Sequence, residues 1–155
     1  MKFFSRFAFV LIWLLPNWGV AQESFDLEDA LAGTWVFAEK ESWDLFRTSP
    51  EWRGMTPEAQ LDYQTTMWPK ALAQLLFTAY RFNDDELVVI FKENQQAVPT
   101  EIVSEEDKTV VLRLGSGSNA PIMKVHFLDA NYIRIENAGS VNYYIWKRKG
   151  APYRP

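Results

Sequence analysis

Apolar and polar residues alternate along most of the second half of the chain. From residue 77 onward, short runs in which every second side chain is apolar are separated by polar turns such as 83–86 and 105–108. Alternation with a period of two is typical of β-strands that have one buried face. With a first strand at 33–39, the pattern predicts eight strands, the other seven lying at 77–82, 87–92, 97–104, 109–114, 122–128, 132–136 and 141–148.

A helical pattern lies between the first two predicted strands. Thr56 and Pro57 make a favourable helix start, because a hydroxyl cap precedes a proline at the first helical position. Apolar residues at helical spacing over 61–76 predict one amphipathic face. Pro69 disfavours helical geometry at the residue before it, so we expect a kink or two short helices. The segment 42–55 is rich in aromatic residues without a clean period, and we expect it to cover apolar surface.

The number and order of the strands predict the architecture. Most of the connections are too short for parallel crossovers, so neighbouring strands should be antiparallel. Eight sequential strands have exposed edges unless the sheet closes, and eight is a number that closes around side chains or one small ligand. We therefore predict an all-β, eight-stranded antiparallel up-and-down barrel with one or two helices between strands 1 and 2. A two-sheet sandwich is the alternative.

The first 21 residues have the parts of a secretory signal peptide. A basic start is followed by an unbroken apolar run at 7–15 and by small residues at 19–21, so we expect cleavage before Gln22. Residues 22–155 then form a single domain that is periplasmic or secreted by a Sec-type route from a bacterial cell. The alternative is a retained N-terminal anchor, although the apolar run is far shorter than the roughly 20 residues that a membrane span needs.

Composition excludes several classes of function. The full chain has a formal net charge of −4 and contains no cysteine. Removal of the basic signal makes the remainder more acidic, so nucleic acid and anionic membranes are poor partners, and no stable membrane span is expected after cleavage. Thiol catalysis and thiolate metal binding are excluded. Aromatic residues make up 15% of the chain, which favours a core stabilised by burial alone.

The residues around the first and last strands resemble a known family. The sequence Leu-Ala-Gly-Thr-Trp at 31–35, followed by an eight-stranded meander, resembles the lipocalin-like (calycin) barrels. The resemblance implies that Gly33 and Trp35 open the barrel and that Arg148, or Lys147, lies over the tryptophan ring. This chain departs from typical lipocalins because its helical stretch follows strand 1 and the usual disulfide is absent. It is closer to a small bacterial lipocalin-like domain.

No recognisable catalytic constellation is present in the sequence. The single histidine, His126, should face outward with Lys124, because Met123 and Val125 belong to the alternate face. The acidic clusters at 84–86 and 105–107 lack the spaced ligands and glycine of a calcium loop and are expected to be solvated turns. The Gly- and Ser-rich segment at 115–119 has neither a nucleophile elbow nor a phosphate-binding lysine. We therefore expect no enzymatic activity, no metal site and no cofactor.

The aromatic and aliphatic residues of the inner face are the stronger functional candidates. We predict a small apolar or aromatic ligand inside the barrel. The alternative is a solid barrel that acts as a protein–protein interaction module, as an inhibitor or assembly factor, with Trp43, Trp52 and Tyr63 as residues to test. Because 87–91 is apolar on both faces, its outer face needs a cover, either the insertion or a homodimer contact. The predicted ligand-binding residues are Tyr80, Phe82, Leu112, Met123, Val125, Phe127, Ile133 and Ile135 on the strands, and Leu72 and Leu76 at the mouth.

Overall fold

The computed structural model describes residues 27–137 and 143–151 and contains a closed barrel of eight antiparallel strands. Each strand pairs with the next along the chain and the first pairs with the last, so the predicted up-and-down barrel is confirmed and the sandwich alternative is wrong. The predicted signal peptide 1–21 and Gln22 lie outside the described residues. The strands are β1 Gly33–Phe37, β2 Thr78–Phe82, β3 Glu86–Phe91, β4 Asn94–Glu106, β5 Thr109–Leu114, β6 Ile122–Asp129, β7 Tyr132–Asn137 and β8 Ile145–Arg148.

β4 and β8 differ most in length from the prediction. β4 starts at Asn94 instead of residue 97 and pairs with β3 along its first half and with β5 along its second half. The two-residue turns on either side of β4 place Lys92 and Asp107 at positive φ, as tight hairpins require. β8 begins at Ile145, because the backbone before it does not continue the ladder.

The region between β1 and β2 is a helical insertion. Its last part is a continuous helical run in which a π-helical turn, Tyr63–Met67, joins α4 to α5. Trp68 keeps helical backbone angles and donates its N–H to the carbonyl of Tyr63, five residues earlier. The expected division into two short helices, α4 and α5, is confirmed, but Trp68 itself stays helical because the helix widens by one residue before Pro69. The helices are α1 Leu27–Leu31, α2 Glu39–Arg47, α3 Pro50–Gly54, α4 Pro57–Asp62 and α5 Trp68–Leu75.

The end of the barrel at which β1 begins, the closed end, is covered by α1. Trp35 has no exposed surface, and its indole N–H donates to the Leu31 carbonyl at 2.8 Å. The Arg148 guanidinium lies 4.5 Å from the centre of the Trp35 ring and donates to the Ala32 carbonyl at 2.7 Å. The contact predicted between Arg148 and Trp35 is confirmed. Gly33 has φ +118°, and a side chain there would come 3.1 Å from the Arg148 guanidinium.

The predicted inner residues of the strands all belong to one packed core or contact it. Trp35, Val110, Val125 and Ile133 have no exposed surface. Side chains that bordered a ligand-sized cavity would keep some surface accessible to a water-sized sphere, so the barrel around these residues is filled. Tyr80 is the exception among the predicted strand residues, because it is only half-buried. The buried members of the predicted set are Phe82, Leu112, Met123, Val125, Phe127, Ile133 and Ile135.

The outer face of the barrel carries His126, as predicted. Its imidazole lies between the Thr109 hydroxyl, 3.0 Å from Nδ1, and the Glu136 carboxylate, 3.2 Å from Nε2. The contact with Glu136 lacks hydrogen-bond alignment, so it is an ion pair only when the imidazole is protonated. Arg134 also pairs with Glu136, at 2.7 Å.

The outer face of β3 is covered by side chains of its own sheet. Val88 is buried and Ile90 is half-buried. Their cross-strand neighbours Arg81 and Gln95 form a hydrogen bond of 3.3 Å across this face. The aliphatic stem of an arginine can cover apolar surface, so neither of the predicted covers is required for Val88.

Candidate functional site

The helical insertion contains a group of packed aromatic rings, the aromatic cluster, formed by Trp43, Phe46, Trp52, Tyr63 and Trp68. Trp43 and Phe46 lie on one face of α2 because residues three apart on a helix are neighbours. Ser49 caps α3 by accepting a hydrogen bond from the Trp52 N–H at 3.1 Å. The Gln60 side chain then donates to the Trp52 carbonyl at 2.9 Å and holds α4 against α3.

The rings of the aromatic cluster are in direct contact with one another. The centroid distances are 4.9 Å between Trp43 and Trp68, 5.5 Å between Trp43 and Trp52, and 4.5 Å between Phe46 and Tyr63. Most of these pairs are tilted or edge-on, the arrangements that aromatic rings prefer. The insertion is therefore held together largely by ring contacts.

The aromatic cluster continues to the opposite end of the barrel, which we call the mouth. Phe37, the last residue of β1, lies 6.2 Å from the Trp68 ring, 5.8 Å from Tyr144 and 5.7 Å from Trp146. Tyr80 lies 4.5 Å from Trp146. The mouth is thus closed by rings contributed from both the insertion and the strands.

A buried serine attaches the insertion to the barrel wall. Ser42 has no exposed surface, and its hydroxyl donates to the Ala38 carbonyl at 2.7 Å while accepting from the Ile145 N–H at 2.8 Å. Tyr132 adds a hydrogen bond of 3.2 Å to Glu41. These bonds fix the start of α2 against β7 and β8.

A cavity of about 300 Å³, the mouth crevice, lies where the insertion meets the chain leading into β8. Its volume is at the lower end of the range of ligand pockets, about 300–1,000 Å³. The walls come from α2, α3, the π-helical turn, the start of α5 and the two residues before β8. The lining residues are Phe46, Glu51, Met55, Tyr63, Trp68, Tyr143 and Tyr144.

The electrostatics of the mouth crevice centre on one carboxylate. The Tyr143 hydroxyl donates a hydrogen bond to Glu51, which lowers the pKa of Glu51 and raises the pKa of Tyr143. Burial raises the pKa of Tyr63, and the nearby phenol of Tyr144 raises it further. The crevice therefore combines phenol groups with one exposed carboxylate whose ionised form is stabilised.

A second, more open groove of about 600 Å³ lies on the other side of Trp43 and Trp68. Leu76, one of the predicted mouth residues, lines this groove and is 54% exposed. Leu72 is half-buried against the barrel core. Carboxylates and lysines of α2 and β8 face this groove together, so it lacks the single charge sign of the mouth crevice.

The structure gathers most of the predicted ligand-binding residues into the core and not around a pocket. Of that set, Phe82 and Leu112 border a pocket of about 270 Å³ near α1 that has a mixed polar and apolar wall, and Phe127 borders an open surface pocket beside the β4–β5 turn. Ligand binding by the predicted set stays a prediction. The packing of Val125 and Ile133 favours the solid barrel that was its alternative.

The three residues suggested for a protein partner lie within the aromatic cluster, and their role in binding a partner stays a prediction. Trp43, Trp52 and Tyr63 are half-buried against one another. The exposed apolar residues of this part of the insertion are instead Leu61 and Met67, which are 61% and 51% exposed.

Sequence reasoning missed the residues that complete the mouth crevice. Glu51 and Met55 lie in a segment without a clear period, and Tyr143 and Tyr144 were assigned only to a strand. The high density of aromatic residues in 42–55 was the one available signal, and it indicated burial without indicating a partner.

Comparison of the chain with protein families, with curated proteins and with solved structures finds no match. Within residues 27–137 and 143–151, no helix is both long and apolar enough to cross a membrane. The same residues contain no group of side chains suited to hold a metal ion.

Proposed function

We propose that this protein binds a small apolar or aromatic molecule in the mouth crevice, beside the barrel axis. The observation that carries the proposal is a cavity of about 300 Å³ lined by five aromatic residues and a methionine, directly above a barrel whose interior is packed. Ligand sites are typically concave and apolar with a few polar groups that set orientation. Glu51 and the phenols supply those groups.

The architecture supports placing this binding protein with the lipocalin-like barrels. It has eight meandering strands, a short N-terminal helix over the closed end and Arg148 against Trp35. The signal-like first 21 residues support a role in the bacterial envelope or outside the cell. In this proposal the ligand binds at the helical insertion, whereas a wider barrel would bind it in its interior.

Binding of an uncharged, environment-sensitive dye such as Nile red tests the proposal. We expect micromolar affinity, equivalent to about −8 kcal/mol, because burial of a dye-sized apolar molecule can supply that free energy. Met55→Trp should fill the crevice and weaken binding at least tenfold, since one indole takes up much of the space. The matched control is Leu61→Ala, an exposed apolar residue outside the crevice, which should leave binding unchanged. Equal binding to wild type and Met55→Trp, or no binding to wild type, would contradict the proposal.

An interaction module is the second candidate, and one observation favours it. Leu61 and Met67 expose apolar side chains on the same helical run, outside the crevice lining. If this surface joins two copies of the chain, light scattering at increasing concentration should show a dimer that the double substitution Leu61→Glu and Met67→Glu abolishes. A monomer at every concentration would exclude the homodimer.

A further inference from the structure

The mouth crevice is not a purely apolar pocket. Tyr63, Trp68, Tyr143 and Tyr144 place aromatic rings around a space that also contains Glu51. We propose that the mouth crevice is an aromatic cage for the alkylated ammonium group of a small organic cation. This rests on the proposed function, because it names the ligand class of the same crevice.

The arrangement of the rings supports a cage. Around Phe46, the ring of Tyr63 lies 4.5 Å away at 33° and the ring of Tyr143 lies 5.6 Å away at 54°. These three rings pack against one another and line the crevice together with Trp68 and Tyr144, so aromatic rings form most of its wall. Aromatic faces carry partial negative charge and attract cations, and quaternary ammonium groups are bound in proteins by such cages.

The charge of the crevice also favours a cation. Glu51 is the only lining residue that is charged at neutral pH, and its hydrogen bond from Tyr143 stabilises the ionised form. Among the described residues, no ion pair of Glu51 is formed. The Tyr143 and Ser49 hydroxyls both donate to this carboxylate and favour its negatively charged form, which attracts a cation.

Two arginines of this region, Arg134 and Arg47, are paired with other carboxylates. Arg134 lies close enough to Tyr143 to affect that phenol, and it pairs with Glu136 at 2.7 Å. Arg47 pairs with Asp44 at 2.8 Å. They therefore do not compete strongly for the crevice.

Arg47 also shows that the aromatic cluster accepts a cation. Its guanidinium lies 5.8 Å from the centre of the Trp43 ring. Trp43 itself does not line the mouth crevice. An alkylated ammonium ion suits the mouth crevice better than a lysine side chain or a metal ion does. Its methyl groups weaken hydration and make van der Waals contact with the rings.

A pair of probes that differ only in charge tests this inference. Choline and its uncharged carbon isostere, 3,3-dimethylbutan-1-ol, have the same shape, and their binding to the full chain can be followed by tryptophan fluorescence and calorimetry. We expect choline to bind about tenfold more tightly than the isostere, since only choline gains from the ring faces and the carboxylate.

Two exposed or half-exposed positions give variants that should fold. Glu51→Gln keeps the shape of the side chain and should weaken choline binding about three- to tenfold, with the isostere unchanged. Tyr63→Leu removes one ring and should weaken choline binding more than isostere binding. Arg47→Ala is the matched control, because it acts on the outer face of Trp43 and should have no effect.

The outcomes separate this inference from the proposed function. If Nile red binds in the crevice but the isostere binds as tightly as choline, the crevice is purely apolar and only the cation inference is wrong. An equal loss of both probes in Glu51→Gln would also contradict it. If neither probe nor Nile red binds, both proposals fail.

Discussion

The closed end and the mouth of this barrel are sealed in different ways. At the closed end, a five-residue helix and one arginine complete the seal, and Trp35 beneath them has no exposed surface. At the mouth, an insertion of several helices is needed, and its rings leave the 300 Å³ crevice between them. The closed end uses directed hydrogen bonds to backbone carbonyls, whereas the mouth uses ring contacts of variable angle. The closed end also borders a pocket, of about 270 Å³ beside α1, but acidic and amide side chains share its wall, whereas aromatic rings form most of the wall of the mouth crevice.

The largest expected effect is at the closed end. Trp35→Ala should lower the free energy of unfolding by about 3–5 kcal/mol, because it empties a large, fully buried aromatic site. Chemical denaturation followed by circular dichroism measures the change. Trp52→Ala, a half-buried tryptophan of the insertion, is the matched control and should cost less. Equal losses would mean that the two ends contribute alike to stability.

The attachment of the insertion should show the next largest effect. Ser42→Ala leaves the buried Ile145 N–H without the hydroxyl that accepts its hydrogen bond, at a cost of about 1–3 kcal/mol. Denaturant unfolding measures this loss. Thr48→Ala removes an exposed hydroxyl that donates to the Leu45 carbonyl, so it should change stability much less. If Ser42→Ala is neutral, the insertion does not depend on this bond.

The substitution Gly33→Ala tests whether the closed end tolerates a side chain next to Arg148. Gly33→Ala places a side chain at φ +118° and 3.1 Å from the Arg148 guanidinium, and it should cost about 1–2 kcal/mol of stability. The control is Gly54→Ala, in α3, where nothing lies within 4 Å of the added carbon. A destabilisation no larger than that of the control would show that the glycine bend is not required.

The smallest expected effect is the pH dependence of the bond between Glu51 and Tyr143. The pKa of Glu51 is lowered in the folded protein, so its contribution to stability is present above its unfolded value of about 4.5 and is lost as pH falls through the folded pKa. The pKa of Tyr143 is raised, so its contribution is present below about 10 and is lost as pH rises through the folded value. The melting temperatures of wild type and Tyr143→Phe should therefore differ at neutral pH and converge in acid and at high pH. A constant difference at every pH would contradict this assignment.

The strands were predictable because their signal is local. In β6, Met123 and Val125 alternate with Lys124 and His126, and the same alternation decides which side chains enter the core. The early start of β4 was not predictable. Asn94 and the two glutamines after it show no alternation of apolar and polar residues, although their backbone groups join the ladder and Gln95 accepts a side-chain hydrogen bond from Arg81.

Helix α2 was missed because its apolar side chains pack in two directions, and α3 was missed because it is only five residues long and has no buried residue. Phe46 packs into the aromatic cluster, whereas Leu45 packs against Tyr132 and Ile145 on the barrel wall. A helix that buries two faces has no single apolar stripe. The periodic pattern on which helix prediction depends is then lost.

The amino-acid sequence by itself determined the barrel and its closed end. Strand alternation, short turns and the tripeptide at 33–35 act over a few residues, and the strand number implies closure. Only the tertiary structure decided that the barrel is filled and that the crevice lies beside its mouth. Filling depends on the summed volumes of side chains from eight strands. The crevice depends on contacts such as that between Glu51 and Tyr143, which are 92 residues apart, and no local pattern records which distant residues will meet.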